Sequence, residues 1–351
     1  MQKTRLAYAI FVTALPFMET EARDSLKYSW NIAADNEGLW NMTTGKGAWN
    51  GLLTVEGGIV PWNCGSIEAG AIASYGTGAV ADDIQGLSNL DAGENRAFRL
   101  IKLGVGQKFG NFSAFAGLRN IDYDYFTSAY TSFFTGSSYG NFPTLSLNHP
   151  LPTYPLSALG LHIEYSPTEN IVIKESLYTG SASDRFDRQF RIRPASDGFF
   201  NIGSISYTAH GNGYSPASYT FNYSVAKMPE GKGKKKIHYA LFGNIEQPVA
   251  TIRNTGIGML LQGSWSPTHG QEMCRGYAAM AIVAERQNGL MAGIAANRVF
   301  TLEGDETDLE FTVGLPLLKY FTLTPSLHCI FTEGNSCNVV GMLRLSFAIG
   351  Q

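Results

Sequence analysis

Apolar and polar residues alternate with a period of two in many short segments of the chain. Between Ser218 and Ala226, for example, Tyr219, Phe221 and Tyr223 are separated by small polar residues. Successive side chains of a β-strand point to opposite faces, so this period predicts strands with one apolar and one polar face. Sixteen such segments occur, at 25–34, 46–56, 65–76, 97–109, 111–119, 156–165, 170–179, 198–209, 216–227, 235–246, 253–265, 275–286, 289–298, 305–314, 321–330 and 338–348.

The connections between these segments differ in length according to their position. Three long connections, 77–96, 120–155 and 180–197, all join an odd-numbered strand to the next even-numbered strand. Even-to-odd connections such as 166–170 and 287–288 are short. An even number of strands of about 9–11 residues, with short turns on one side and long loops on the other, is typical of bacterial outer-membrane barrels. The pattern therefore predicts an all-β fold, a transmembrane antiparallel β-barrel of about 16 strands.

The N-terminal segment has the features of a signal peptide. Lys3 and Arg5 precede the apolar run Leu6–Phe17, and small residues follow it. The apolar run is too short to span a bilayer. We therefore expect residues 1–22 to be a signal peptide and residues 23–351 to form one exported barrel domain.

Composition narrows the class of protein further. Hydrophobic residues make up 44% of the chain, but charged residues make up only 16%, against a typical value of about 25%. Beyond the N-terminal segment there is no run of about 18 apolar residues, which excludes a helical membrane protein. Low charge together with 39 glycines, 17 tyrosines and 21 phenylalanines suits strands that face lipid on one side. A net charge of −3 gives no footprint for nucleic acid, so none is expected as a partner.

The connection 120–155 is the longest, and its composition is unusual. It is rich in aromatic and small polar residues, carries few charges and shows no strand period. A loop longer than about 15 residues inside a regular architecture is usually functional or disordered, and this one is too aromatic for disorder. It follows the fifth strand, where a loop that narrows a pore would fold inward. We expect it to be an inward-folded constriction loop.

Several segments resemble one family of pore proteins. Gln107-Lys108-Phe109-Gly110-Asn111-Phe112, Phe133 to Gly140, Tyr154 to Gly160 and Leu323 to Leu327 are similar to segments of the carbohydrate-selective porins of the OprB type. Together with other matches, the similarity runs from about residue 80 to the end of the chain. The resemblance implies a sixteen-stranded pore that admits small carbohydrates across the outer membrane of a Gram-negative cell by passive diffusion.

In an aqueous barrel of this size, the polar face of each strand lines the lumen. Sugars bind through stacking on aromatic rings and hydrogen bonds from charged or amide groups, and conduction requires weak contacts. The alternative for each loop tyrosine is that it only packs the loop against the wall. The alternative for the charged lumen residues is that they are simply solvated by water in the lumen. The hypothesised residues of the pore constriction and substrate contact are Arg119, Asp122, Tyr123, Asp124, Tyr125 and Tyr130. The hypothesised lumen-lining residues are Lys27, Glu68, Lys102, His162, Glu164, Lys174, Gln262, His328 and Arg344.

The expected partners follow from this interpretation. They are mono- or oligosaccharides in the lumen, and outer-membrane lipid and lipopolysaccharide around the barrel. A homotrimer and a monomer both stay open. The main alternative function is a general diffusion porin without sugar preference.

An enzyme is a further alternative, and the less favoured one. Gly136 to Gly140 matches G-x-S-x-G, but that motif has catalytic meaning only at a strand-to-helix turn. Ser138 and His149 are the nearby candidates for an outer-membrane acyl hydrolase. Because the motif lies in an irregular loop, we expect the protein not to be an enzyme.

The metal-binding residue types show no convincing pattern. The six histidines include no H-E-x-x-H motif and no paired cysteine–histidine spacing, so neither a transition-metal site nor a cofactor is expected. Asp305, Glu306 and Asp308 could hold calcium, and an acidic barrel turn explains them equally well.

The chain has four cysteines, Cys64, Cys274, Cys329 and Cys337. An exported protein meets an oxidising compartment that permits disulfides. The last two are close enough in sequence to bridge one hairpin, and separate thiols are the other interpretation.

Overall fold

A computed structural model of the protein describes residues 27–77, 88–92, 95–180, 182–210, 214–229, 235–267, 273–332 and 337–351. The predicted signal peptide lies outside these residues. The described chain contains sixteen β-strands, as predicted. They are β1 (Lys27–Asn41), β2 (Gly47–Val60), β3 (Gly65–Gly76), β4 (Arg96–Phe109), β5 (Phe112–Arg119), β6 (Ala158–Tyr165), β7 (Ile171–Thr179), β8 (Phe199–Thr208), β9 (Ser218–Pro229), β10 (Lys235–Ile252), β11 (Thr255–Trp265), β12 (Cys274–Arg286), β13 (Met291–Thr301), β14 (Glu306–Leu318), β15 (Phe321–Thr332) and β16 (Asn338–Gly350).

The strands form one closed antiparallel barrel in which each strand pairs with its neighbours in the chain. β1 pairs with β16, from Asn31 opposite Gly350 to Asn41 opposite Val340, and this pairing closes the sheet. A closed sheet has no edge of unpaired backbone groups, which is what a lipid environment requires. The predicted fold class is confirmed.

Side-chain alternation gives each strand two unlike faces. On β9, Phe221 is 54% exposed, whereas its neighbour Asn222 is fully buried. On β15, Leu327 is exposed and His328 is fully buried in the same way. The exposed apolar side chains form the outer surface that faces lipid, and the buried polar side chains point into the barrel. These are the faces that the sequence pattern predicts.

The lengths of the connections also agree with the prediction. The long connections 77–95, 120–157 and 180–198 all join strand ends at the same end of the barrel. Even-to-odd turns such as 110–111 and 319–320 lie at the other end and are short. In outer-membrane barrels the short turns are periplasmic and the long loops are external.

A β-bulge on β4 changes which of its side chains face the lumen. The pairing of β4 with β3 shifts between Gly70 and Ala71, which makes Ile101 an extra residue on β4. Lys102 before this shift and Arg99 beyond it can therefore both point inward, although their spacing in sequence is odd. Arg99 is 1% exposed, in agreement with this placement.

Two of the long connections contain short helices. In the part of the chain that the structure describes, no helix is long and apolar enough to cross a membrane. The helices are single turns, α1 (Asp122–Tyr125), α2 (Ser137–Gly140), α3 (Pro143–Ser146), α4 (Phe186–Gln189) and α5 (Pro194–Asp197).

The largest apolar core lies inside the barrel, between residues 120–157 and the wall from β6 to β13. Phe126 and Phe142 pack on Phe242 of β10, with ring centroids 6.0 and 4.8 Å apart. Aromatic side chains bury a large apolar area and fix the segment that carries them. Residues 120–157, called the inner loop below, are thus a packed part of the fold. The predicted inward course of this loop is observed.

The largest difference between the predicted and observed strands is at the end of β1. The predicted strand stops at residue 34, whereas β1 continues to Asn41 and pairs on both sides over that stretch. The segment 35–38 reads Asp-Asn-Glu-Gly, residue types that are depleted in strands. Barrel closure extends the strand there in spite of this low propensity.

Candidate functional site

The inner loop crosses the lumen and contacts widely separated strands. Near its start, the hydroxyl of Tyr125 lies 2.8 Å from Ser176 Oγ on β7. Further along, Thr135 Oγ1 lies 3.0 Å from His328 Nε2 on β15. Because β7 and β15 lie on opposite sides of the closed barrel, the loop spans the lumen.

A buried ion pair fixes the point at which the chain leaves β5. Arg119, the last residue of β5, donates from Nε and Nη2 to the two carboxylate oxygens of Asp124 at 2.7 and 2.6 Å. His162 Nε2 of β6 lies 3.7 Å from the same carboxylate. Burial opposes ionisation of Asp124, but the Arg119 guanidinium outweighs it and holds the pKa of Asp124 below its ordinary value. The two-bond geometry gives the pair a fixed orientation.

Asp122 joins the two ends of the inner loop. Its Oδ1 accepts a hydrogen bond from the Thr153 hydroxyl at 2.5 Å, and its Oδ2 accepts the Tyr154 backbone amide at 2.6 Å. Burial is the dominant influence on this carboxyl and raises its pKa to about 6, although both hydrogen bonds act in the opposite direction. Asp122 is therefore a clasp within the loop.

The tyrosines proposed from the sequence differ in how far the structure supports a contact with solute. Tyr125 and Tyr130 are 4% and 2% exposed, so their rings pack the inner loop against the wall. This packing is the alternative role considered for them in the sequence analysis. Tyr123 lies in α1, and its side chain lies outside the described part of the chain.

The lumen-facing charges near Arg119 also occur in pairs. Lys102 Nζ on β4 lies 2.5 Å from Glu68 Oε2 on β3. Lys174 Nζ on β7 lies 3.8 Å from Glu164 Oε2 on β6 and donates to the backbone oxygen of Asp124 at 3.1 Å. These four side chains are partly exposed, unlike Asp124, so the lumen contacts their polar ends.

Together these residues form a charge-balanced group, which we call the root cluster. Its three cations and three carboxylates lie on adjacent strands and at the start of the inner loop. Each cation has a carboxylate partner, so these six side chains carry no net charge among themselves, and the Glu56 carboxylate of β2 lies next to Lys102. Its members are Glu68, Lys102, Arg119, Asp124, Glu164 and Lys174.

A second carboxylate site holds the inner loop on the other side of the lumen. Glu310 Oε1 on β14 accepts the backbone amide of Thr135 at 2.7 Å, and Oε2 accepts the amide of Gly136 at 3.2 Å. His328 bridges the hydroxyl of Thr135 and Asp308, since its Nδ1 lies 3.0 Å from Asp308 Oδ2. The sequence analysis placed His328 on the lumen face, and the structure adds its contact with the loop.

A third carboxylate holds the middle of the inner loop. Glu246 Oε1 on β10 accepts the Ser128 hydroxyl at 2.5 Å and the Tyr130 amide at 2.8 Å. Glu246 is 1% exposed. A buried carboxylate is tolerated here because backbone and hydroxyl donors satisfy it.

Arg344 lies where the inner loop meets a second long connection. Its Nε and Nη2 donate to Glu37 Oε2 on β1 at 3.1 and 2.8 Å. Nη2 also donates to Asn89 Oδ1 at 2.6 Å, and the Asn89 side chain donates to the Phe134 backbone oxygen at 3.3 Å. Arg344 thus links β1, β16 and Asn89 of the 77–95 connection.

The remaining predicted lumen residues have unequal roles. Gln262 on β11 donates to the Tyr139 backbone oxygen of the inner loop at 3.3 Å, so it supports the loop. Lys27 is the first residue of β1, and the strand alternation places it on the inward face at the periplasmic end. The two residues lie apart from the root cluster.

One group of side chains has the composition of a metal site. Ligand atoms of Asp308, Glu310 and His328 lie within 4.8 Å of one another. Glu310, however, accepts hydrogen bonds from Thr135 and Gly136 with both oxygens, and His328 is bonded at both nitrogens. In the described part of the chain, this group therefore attaches the inner loop to the barrel wall.

Comparison with known proteins agrees with this architecture. The model of the OprB family, described as carbohydrate-selective porins, matches residues 59–283, more than half of the chain. The chain belongs to the OprB family. No curated protein matches it by sequence.

Solved porins share the fold at low sequence identity. The high-pH structure of OprB from Pseudomonas putida is 11% identical, with a TM-score of 0.74 over 92% of this chain and 94% of that one. The low-pH structure of the same porin, also 11% identical, gives 0.60 over 92% of each chain. The anion-selective porin from Comamonas acidovorans is 10% identical, with a TM-score of 0.59 over 93% of this chain and 99% of that one. The family and the barrel together identify a multi-pass outer-membrane β-barrel of the porin class.

The structure does not join the two candidate hydrolase residues to each other. His149 packs against His238, with ring centroids 5.1 Å apart, and Ser138 is buried in α2. Among the described residues, no hydrogen bond joins Ser138 to His149. Porins are channels, and these contacts give the G-x-S-x-G match a packing role.

The sequence analysis missed the wall carboxylates that hold the inner loop. Glu246 and Glu310 both lie on the inward face of their strands. Strand alternation alone could have placed them in the lumen. Their partners belong to a loop whose path has no local sequence signal, so their role was not apparent.

Proposed function

We propose that this OprB-family porin conducts small neutral carbohydrates by passive diffusion and favours them over ions and amino acids of similar size. The observation that carries the proposal is the charge balance of the root cluster beside the inner loop. Paired cations and carboxylates offer a hydroxylated solute both donors and acceptors within a few ångströms. They offer a single ion no net attraction.

The partial exposure of the root cluster supports this proposal. Glu164 and Lys174 have side-chain exposures of 34% and 22%, and Lys102 has 14%. Such groups can exchange hydrogen bonds with water for hydrogen bonds with passing hydroxyls at little cost. Contacts of this kind are weak and distributed, as conduction requires. We propose Arg119 and Asp124 as the residues that orient the cluster.

Liposome swelling tests the proposal directly. Purified protein is reconstituted, and swelling rates are compared for glucose, maltose, and amino acids and salts of similar hydrodynamic size. We expect the sugars to enter several-fold faster than zwitterions of the same size. Rates that depend on size alone would support a general diffusion porin instead.

Single-channel recording provides a second test of the same site. We expect maltose to reduce the ion current through the wild-type channel by transient occupancy of the root cluster. A channel lacking residues 122–132, the deletion that removes the first part of the inner loop, is expected to have a higher conductance and weaker block. Unchanged conductance and unchanged block would contradict the proposed role of the inner loop.

A further inference from the structure

The external end of the last hairpin carries two cysteines that the proposed pore does not use. Cys329 lies on β15, and Cys337 directly precedes β16. In the register of these strands Cys329 is opposite Val339, two residues beyond Cys337. Strand alternation therefore places both cysteines on the outward face, as diagonal neighbours.

The two cysteines are free thiols in the structure, and their side chains are neighbours. The Cys329 side chain lies within hydrogen-bonding reach of the Cys337 thiol. Both side chains are half-buried, so neither is sealed in a core. Cys337 also lies just outside the strand, where the backbone is less constrained by the ladder than at Cys329.

The other two cysteines provide a contrast within the same chain. Cys64 is exposed in the turn between β2 and β3, at the opposite end of the barrel. Cys274 is fully buried at the start of β12 and contacts backbone oxygen of Gly276 through its thiol at 3.3 Å. Of the four cysteines, all of which are described, only Cys329 and Cys337 are neighbours.

We propose that Cys329 and Cys337 are oxidised to a disulfide during export and that this bond clips the external end of the β15–β16 hairpin. The bond forms as the two thiols give up two electrons and two protons. A thiol oxidoreductase that carries a disulfide accepts them and leaves as a dithiol, by exchange through a mixed disulfide. The periplasm through which a barrel precursor passes is oxidising, which favours this direction.

The position of the clip connects it to the inner loop. Cys329 directly follows His328, which holds Thr135 inside the barrel, and His328 is opposite Val340 of β16. The hydroxyl of Thr43, in the β1–β2 turn, accepts the Val339 amide at 2.9 Å. The bond would therefore restrain the wall behind the loop attachment, next to the seam where β1 meets β16.

Thiol counting tests the proposal on the whole protein. Cells are quenched with acid, and free thiols are alkylated under denaturing conditions without reductant, so that later air oxidation is excluded. Intact mass and peptide mapping then identify the labelled residues. We expect labels on Cys64 and Cys274 only, and labels on all four cysteines after reduction. Four labels without reduction would overturn the proposal.

Serine variants sharpen the assignment. Cys337→Ser is expected to free Cys329, which gives three labels without reduction. The matched control Cys64→Ser is expected to lose one label and to keep the bridge. A disulfide-linked dimer that disappears in Cys64→Ser, with Cys329 and Cys337 both labelled, would also overturn the proposal. Because these readouts count thiols, their result is independent of whether sugars pass through the pore.

Discussion

The backbone amide of Thr135 donates a hydrogen bond to Glu310 Oε1 at 2.7 Å, which joins the inner loop to the barrel wall. The same oxygen accepts the Thr135 hydroxyl at 2.8 Å, and the second oxygen accepts the Gly136 amide. A carboxylate has several acceptor sites and can satisfy multiple loop donors at once. This attachment of the loop thus depends on one wall side chain that can be changed without altering the loop sequence.

Glu310→Gln is expected to loosen the inner loop around Thr135 and Gly136. The carboxamide keeps the shape of the side chain but loses the charge and one acceptor oxygen. Hydrogen bonds to a charged group contribute about 1.5–3 kcal/mol, so the undocked population is expected to rise roughly 10- to 150-fold. Hydrogen exchange at the Thr135 and Gly136 amides measures this change, and single-channel noise reports its effect on conduction.

Glu164→Gln is the matched control for this experiment. Glu164 is also a lumen carboxylate, but it is more exposed and lies 3.8 Å from its partner Lys174. Exposed pairs contribute about 0–1 kcal/mol, so little change in loop exchange is expected. Equal effects of the two variants would contradict a specific role for Glu310.

The root cluster gives a second prediction, on ion selectivity. Lys102→Gln removes the cation next to Glu68 and is expected to shift the reversal potential in a salt gradient towards cation preference. Glu68→Gln is expected to shift it towards anions. One unit charge at about 4 Å in water contributes about 1 kcal/mol, or a roughly five-fold change in the ion ratio.

The double variant Lys102→Gln/Glu68→Gln is the control for charge balance. It restores neutrality and is expected to return the reversal potential to the wild-type value. If the double variant keeps the shift of either single variant, the cluster does not set selectivity through its net charge.

Strand prediction from the sequence succeeded because each strand separates two unlike environments. Lipid on one side and polar lumen on the other impose a period of two, which is visible at Phe221 and Asn222 without any tertiary information. The end of β1 was missed because its low-propensity residues are held by pairing on both sides. Tertiary pairing overrides local propensity there.

The course of the inner loop could be predicted only in outline. Its length, aromatic content and place after β5 indicated an inward fold, but no periodicity fixes where an irregular segment touches the wall. The contacts of Glu246 with Ser128 and Tyr130 join residues more than a hundred positions apart. Arg119 and Asp124 are only five positions apart, so the sequence places them near each other, but it does not reveal their ion pair.

We expect His149 to make docking of the inner loop dependent on pH. Its Nδ1 is buried without a hydrogen-bond partner, and burial, followed by the neighbouring His238, lowers its pKa from 6.5 to about 3. A lowered pKa means that the docked loop binds the proton less well than the free loop. Docking is therefore constant above pH 6.5 and weakens as the pH falls, by about 2 kcal/mol at pH 5. Hydrogen exchange of residues 142–156 measures it.

Protonation of Asp122 has the opposite effect on docking of the inner loop over the same pH range. Burial raises its pKa from 3.8 to about 6, so the docked loop binds this proton better than the free loop. Docking gains about 1.4 kcal/mol from this group between neutral pH and pH 5. We expect His149→Phe to reverse the slope of docking against pH and Asp122→Asn to steepen it. If the two variants do not change the slope of docking against pH in opposite directions, the roles given to His149 and Asp122 are both contradicted.

Gly258 on β11 provides the space that Tyr130 of the inner loop occupies. A Cβ atom at this position would overlap the Tyr130 hydroxyl and ring. Gly258→Ala is therefore expected to displace the ring, and overpacking of this kind costs about 1–3 kcal/mol. Because Glu246 accepts the amide of Tyr130, the displacement should also weaken that hydrogen bond. The expected result is lower thermal stability in detergent and faster amide exchange at residues 128–131.

Gly263→Ala is the matched control on the same strand. Its Cβ would face outward and meet no atom nearer than 3.9 Å, so the barrel should accept it without loss of stability. The double variant Gly258→Ala/Tyr130→Leu removes the overlapping ring, and its destabilisation should be smaller than the sum of the two single effects, since the residues are in direct contact. Additive effects, or equal losses in Gly263→Ala and Gly258→Ala, would show that Tyr130 does not depend on the space at Gly258.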